Sequence, residues 1–299
     1  AGYIGYDAEP TTDAAPGIWT LRDAEFYQRK AQWPLPTFDP ASITGLQAWY
    51  DASDASTLYD ATTGGSLVAA DGGVARWEDK SGNDRHATQG TSGSRPLRKA
   101  SVQNSLDALR FDGSDDVLSV PSSTATFKFL HSTEATYFFV GKFGSTADPN
   151  AVFYLFNTRG TGSTGLEPFY DDRTSSGNNE AIRTFARGSG TNALDNQSAN
   201  GFAPANVVGL VSDVIDFSSA TAAGRSTLRY NGGSPQTNNT DTASVDTGNS
   251  STDLFIGGRS DGSSVLDGDI CEFIIYNTAL SDTDREAVED YLIEKWGIT

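Results

Sequence analysis

Cysteine occurs once, as Cys271, methionine not at all, and histidine only as His86 and His131. A lone cysteine excludes an internal disulfide framework and a cysteine-rich metal site. Two histidines leave any Ser-His-Asp device a choice of two bases, and no G-x-S-x-G elbow is present. They also argue against a zinc site. Lysine is scarce, with six among 21 basic residues, and glutamate supplies ten of 39 acidic ones. The net charge of −18 repels phosphate backbones, so general nucleic-acid binding is excluded. It suits a salty medium, where repulsion is screened within about 8–10 Å. No apolar run approaches the roughly 20 residues of a membrane span, so neither a transmembrane helix nor a membrane partner is expected. Ala1 is what removal of an initiator methionine before a small residue would leave, and no charged-then-apolar signal segment is visible within the sequence.

What the chain does have is turn chemistry. Among 299 residues, 31 are glycine and 11% aromatic, against 37% hydrophobic overall. Many short strands joined by loops are expected, in one large all-β domain or two small ones. Candidate strands are Leu46–Tyr50, Leu109–Phe111, Val117–Val120, Thr136–Phe143, Ala151–Thr158, Ala181–Ala186, Val207–Val214, Thr227–Asn231, Leu254–Gly257 and Asp269–Tyr276. Their spacing, without helices between them, argues for an antiparallel sandwich. Asn231-Gly232-Gly233 is a hairpin turn, since Asn and Gly tolerate positive φ. Ser281-Asp-Thr-Asp284 is a capping box, and Val288, Tyr291, Leu292 and Trp296 follow on one helical face. That helix should cover a sheet or its edge. Residues 1–40 differ: prolines 10, 16, 34, 36 and 40 break the segment, and a short helix over about residues 21–31 carries more aromatic surface than it can bury alone. Trp19, Leu21, Phe26, Tyr27 and Trp33 are therefore candidate partner-docking residues of an N-terminal arm (1–40), preceding a domain at 41–299.

The run Asp269-Ile-Cys-Glu-Phe-Ile-Ile-Tyr-Asn, leading into Tyr291-Leu and Trp296-Gly-Ile, resembles the end of laminin-G-like, concanavalin A-like jelly-roll domains. Leu46–Asp54, Trp77–Asn83 with His86–Gln89, Leu109–Asp116 and Leu228–Gly233 match in the expected order, over about residues 43–299. The resemblance implies an all-β, antiparallel jelly-roll sandwich with a short C-terminal helix and an N-terminal arm. Pro16-Gly-Ile-Trp-Thr-Leu-Arg-Asp23, with Trp33-Pro34 after it, is similar to segments in structural proteins of tailed, especially marine, bacteriophages. It implies a virion surface protein, extracellular, fixed to other virion proteins through the arm, homo-oligomeric or part of a larger assembly, and displaying a lectin-like domain to host-surface glycans. A secreted bacterial carbohydrate-binding module is the alternative, and a glycan-cleaving enzyme a more distant one.

No catalytic residue is assigned and enzyme activity is not expected. The E-x-D-x-x-E strand motif of the fold's hydrolase branch is absent. Glu272 belongs to the ordinary domain pattern, His86 is read as a structural hydrogen-bonding group, and Cys271 as a buried, inert thiol. Gly160-Thr-Gly-Ser-Thr-Gly165 matches G-x-G-x-x-G, but Leu166-Glu-Pro168 follows where a phosphate site needs a helix. No cofactor is required. Calcium would be served by Asp51/Asp54, Asp112/Asp115/Asp116, Asp171/Asp172 or Asp261/Asp267/Asp269, none with EF-hand spacing. For carbohydrate, the candidates are Phe169, Tyr170, Asp171, Asp172 and Arg173, in a segment read as a loop from Glu167 through Asn178-Asn179 that offers rings to stack on sugars and polar groups for their hydroxyls; the alternative is a turn with Phe169 or Tyr170 folded back on the core.

Overall fold

The computed structural model describes residues 38–144, 152–162, 164–173, 175, 177–188 and 191–299. Trp19, Leu21, Phe26, Tyr27 and Trp33 lie outside the described residues. The described strands, in chain order, are β1 (Leu46–Asp51), β2 (Leu58–Tyr59), β3 (Arg76–Trp77), β4 (Ala87–Thr88), β5 (Leu97–Gln103), β6 (Leu106–Asp112), β7 (Leu118–Val120), β8 (Glu134–Phe143), β9 (Val152–Tyr154), β10 (Phe156–Asn157), β11 (Gly165–Asp171), β12 (Ala181–Gly188), β13 (Thr191–Gln197), β14 (Val208–Asp216), β15 (Ser226–Tyr230), β16 (Leu254–Ile256) and β17 (Asp267–Tyr276). A one-turn helix, α1 (Phe129–Ser132), a longer one, α2 (Asp282–Trp296), and four 3-10 turns of three residues each accompany them among the described residues.

The strands form three sheets. The largest has seven strands, ordered β15-β14-β8-β17-β6-β5, with β1 on the remaining half of one β17 edge. A six-stranded sheet (β10-β16-β7-β4-β3-β2) and a four-stranded one (β13-β12-β11-β9) complete the set. Every pairing is antiparallel. The seven-stranded sheet is one layer of a β-sandwich, and the two smaller sheets make the other. Aromatic side chains join the layers: Phe273 meets Phe156 at 4.9 Å between ring centroids, Tyr50 meets Trp77 at 5.4 Å, and Phe143 stacks on Tyr170 at 5.0 Å. The expected antiparallel, all-β sandwich is the fold observed.

Two backbone irregularities position everything that follows. The stretch Ala151–Thr158, expected as one strand, is broken at Leu155. Its N–H donates to the Pro168 carbonyl at 3.0 Å. Pro168 has no N–H to return, so the Leu155 carbonyl accepts instead from Gly257 of the other small sheet, at 3.0 Å. β9 therefore joins the four-stranded sheet and β10 the six-stranded one.

The second irregularity lies in β17. Ile270 faces Gly141 of β8 while Glu272 faces Val140, so Cys271 is an extra, bulged residue. Without it, strict alternation from Ile270 would turn Glu272 into the sandwich core. With it, Phe273 and Ile275 continue the core beside Ile270, and Glu272 points to the opposite face, under α2. Helix α2 starts where expected: the Ser281 hydroxyl accepts from the Asp284 N–H at 3.2 Å, and the helix ends at Gly297 with φ 59°. Val288, Leu292 and Trp296 are buried, as the spacing implied, but so are Arg285 and Glu289. Arg285 pairs with Glu289, whose Oε1 accepts from Ser212 of β14 at 2.5 Å. The Asn231-Gly232 turn has positive φ at both residues, 50° and 65°, and its strands bridge at Leu228 and Gln236.

Candidate functional site

The four-stranded sheet has one face in the sandwich core and one turned away from it. On β11 the core-facing residues are Leu166, Pro168 and Tyr170, and on β12 Ile182, Thr184 and Ala186. The residues between them face outward. The register aligns them in rows: Tyr154, Phe169, Arg183 and Gln197 cross the sheet in one, and Glu167, Phe185 and Asp195 in the next. A cavity of about 300 Å³ opens here, lined by residues that include Tyr154, Arg159, Glu167, Phe169, Arg173, Arg183 and Phe185.

The arginines are fixed. Arg183 grips Asp195 through Nε and Nη2, both at 2.5 Å, and its guanidinium lies 5.8 Å from the Phe169 ring centre and 5.7 Å from that of Phe185. Arg173 grips Asp171 the same way, at 2.8 and 2.7 Å, and Asn178 adds a bond to that carboxylate at 2.7 Å. Arg159 donates from Nε to Glu167 at 2.8 Å, and Asn157 holds the other Glu167 oxygen at 2.9 Å. The Asn157 side-chain Oδ1 in turn accepts from the Arg159 backbone N–H at 3.0 Å, which anchors the turn. Tyr154 and Phe169 pack at 5.4 Å, and Arg259 sits 5.6 Å from the Tyr154 ring centre.

The electrostatics follow from burial and pairing. Burial pushes Glu167 above the usual carboxylate range in spite of Arg159. Burial, with Glu167 nearby, pushes the Tyr154 phenol up to about 12. Asp171, against the cost of its burial, is held low by its bonds from Arg173. The hydrogen bonds they donate to Asp195 and Asp171 raise Arg183 and Arg173 respectively. The result is a rigid wall of rings and forked cations with one buried acceptor.

The residues expected from sequence separate here. Phe169 and Arg173 line the cavity. Asp171 is fully buried and positions Arg173. Tyr170 faces the opposite way: it is 0% exposed and stacked between Phe143 and Phe153, so it cannot offer its ring to a sugar. Asp172 accepts from the Glu180 N–H at 3.2 Å and does not line the cavity. The segment read as a loop is strand β11, which is why alternate residues point to opposite faces. Glu167 stood at the start of the segment read as a sugar-binding loop, while Tyr154, Arg159, Arg183 and Phe185 were not anticipated. Their signal is the alternation Glu167/Phe169/Asp171 and Arg183/Phe185/Arg187, charge and ring at every second position.

Three of the four aspartate groups considered for calcium are engaged otherwise. Lys80 bridges Asp51 and Asp54 at 3.0 and 2.9 Å. Arg110 and Lys142 neutralise Asp269, and Asp261 closes its own turn on Ser263. Asp171 serves Arg173. Asp112, Asp115 and Asp116 do bring carboxylate oxygens within 4.8 Å of one another. Burial and the neighbouring Asp112 push Asp116 up to about 6.

The remaining chemical candidates are structural. His86 Nδ1 accepts from the Asp79 N–H at 3.1 Å. Cys271 is buried, and burial pushes its thiol well up. Gly160 lies in the turn after Asn157, and the strand β11, not a helix, begins at Gly165.

Comparison with known proteins agrees on architecture. The sequence matches no protein-family model and no curated protein. Among solved structures, a Trypanosoma rangeli sialidase in complex with sialic acid is similar over 89% of this chain, with 14% identity and a TM-score of 0.53. The chain spans 35% of that sialidase's length. The CBM40 of a Ruminococcus gnavus sialidase, bound to α2,3 sialyllactose, is similar over 64% of this chain and 97% of its own, with 16% identity and a TM-score of 0.45. At 14% identity the likeness to the sialidase is one of fold.

Proposed function

We propose that the outward face of the four-stranded sheet binds carbohydrate, and that the protein is a non-catalytic, lectin-like module. The observation that carries this is the cavity wall in which Tyr154, Phe169 and Phe185 back three guanidiniums held rigid by carboxylates. A sugar ring presents a flat C–H face and a rim of hydroxyls. Aromatic rings match the first, while fixed guanidinium edges donate to hydroxyls and Glu167 accepts from them. Because the partners lock these groups before any ligand arrives, little conformational freedom is lost on binding. The volume lies at the lower end of the roughly 300–1,000 Å³ typical of small-molecule clefts, which fits a short saccharide segment.

The test is a glycan array followed by titration calorimetry on each hit. Phe185→Ala should weaken binding about tenfold or more, as removal of an aromatic anchor does, with the thermal melt unchanged in cooperativity. Unchanged affinity in Phe185→Ala and in Phe169→Ala would overturn the assignment.

Where the module works is a finer proposal: display on a tailed-phage virion, outside the cell, through residues 1–40, in an oligomer or larger assembly. The Pro16–Asp23 resemblance supports it. Deleting residues 1–40 should leave glycan affinity intact and abolish incorporation into particles. Normal incorporation of the truncated chain would refute the arm, and a monomer both with and without it would favour a secreted module.

A further inference from the structure

We infer that the glycan this face takes is anionic, carrying a carboxylate or a sulfate on an otherwise uncharged saccharide; this rests on the carbohydrate-binding reading above. The first ground is charge. Arg159, Arg173, Arg183 and Glu167 line the cavity; beside it Arg259 stands over Tyr154, and Asp171 and Asp195 hold Arg173 and Arg183. Four cations less three anions leave one positive charge, on a chain whose net charge is −18. A neutral sugar has no use for a local excess of that sign.

The second ground is the donors left over. Arg173 and Arg183 each spend the Nε and Nη2 edge on a carboxylate. Among the described residues, neither has a partner for Nη1. Arg259 has no ion pair among the described residues; its Nη2 donates to the Gly160 carbonyl, and its Nε is buried without a hydrogen-bond partner. Guanidinium N–H groups without a protein partner are donors left for a ligand, and an anionic oxygen satisfies them best. The third ground limits the size of the charge. The field of the whole acidic surface disfavours a polyanion, so one or a few charged groups, on a ligand whose rings meet Tyr154 and Phe185, fit better than a heavily charged chain.

The experiment uses the full chain and an array that pairs each neutral oligosaccharide with its sialylated, uronic-acid and sulfated counterparts, with hits taken to calorimetry at low and high salt. Acidic members should bind about tenfold or more tighter than their neutral partners, and lose that advantage as salt rises. Carboxylated and sulfated arms tell the two anions apart. Arg259→Gln leaves no carboxylate orphaned, and Arg183→Gln combined with Asp195→Asn removes a pair whole. Both should erase the preference; Arg259→Gln should leave neutral binding within about twofold, while the double variant, which also removes a donor to hydroxyls, should weaken neutral binding as well, thermal melts confirming that each folds. Equal affinity for neutral and acidic members, with sensitivity to Phe185→Ala, would refute the anion and leave the glycan face standing. An acidic preference untouched by both variants would refute the assigned arginines. Absence of binding to any member would overturn both proposals.

Discussion

Replacing Glu272 by alanine should cost about 3–5 kcal/mol of folding stability, the range for breaking a buried charged pair. Its two oxygens collect four donors: Trp49 Nε1 at 2.8 Å and the Tyr291 hydroxyl at 3.0 Å on one, Lys295 Nζ at 2.6 Å and Trp296 Nε1 at 2.8 Å on the other. These come from β1 and α2, so a single carboxylate on β17 fastens three elements. Burial and the nearby Asp51 push Glu272 up, while Asp51, against the cost of its own burial, is held down by Lys295. Alanine would strip this acceptor from two indoles and a phenol. Lys295 would keep Asp51 at 2.8 Å, so its charge is not stranded, which caps the loss. At about 2–4 °C per kcal/mol for a domain of this order, the melting temperature should fall by roughly 10 °C. Glu272→Gln should also destabilise, because its amide must turn an N–H toward Lys295 or toward Trp49. A loss under about 1 kcal/mol by denaturant titration would show that α2 docks by apolar packing alone.

The second large effect is pH-dependent. Asp213 on β14 lies inside the sandwich, fully buried, opposite Tyr137 of β8. Ser226 donates to it at 2.9 Å, and Thr184 of the four-stranded sheet also hydrogen-bonds it. Burial outweighs these bonds and raises its pKa from 3.8 to about 7. The folded state therefore holds this proton more tightly than the unfolded chain. The resulting stability is fully present below pH 3.8, declines as pH rises toward 7, and is gone above it. An asparagine at this position, being neutral throughout, escapes that decline. Asp213→Asn should thus be more stable than the parent at pH 8 by about 2–4 kcal/mol, and should show no such gain at pH 4. Parallel melts of the two proteins across this range isolate the effect, since all other titrating groups are shared. A difference independent of pH would mean that the Asp213 carboxylate is solvated.

Much of the larger sheet could be read from residue order alone. Thr136–Phe143 and Asp269–Tyr276 are long and apolar on both faces, and they become the two central strands because a core covers one face and α2 the other. The candidate site was hidden for a local reason. Gly165, Pro168 and the Asp171-Asp172 pair look like turn chemistry, yet Pro168 sits in β11 at the point where its neighbour changes sheets, so its missing N–H is not a defect there. β13 escaped notice because Thr191-Asn-Ala-Leu-Asp-Asn-Gln197 has only two apolar residues, enough for a strand that is an edge of its sheet. Arg159, Arg183 and Glu167 were unremarkable singly. Only the register, which no local pattern encodes, sets them around one cavity. The same applies to Asp213: nothing in Val211-Ser-Asp-Val-Ile215 marks which of its residues will be sealed from water.

The divided edge of β17 has a kinetic consequence. One half of that edge pairs with β6 and the other with β1, while β8 takes the opposite edge. Residues 267–276 are thus the common neighbour of strands made from residue 46 onward, and they emerge from the ribosome more than two hundred residues after the first of them. Until then β1, β6 and β8 have no mutual partner, and the aromatic interior that Phe273 helps close stays open to water. Closure must await a contact between chain segments at the far ends of the domain, which makes folding slow and post-translational in character.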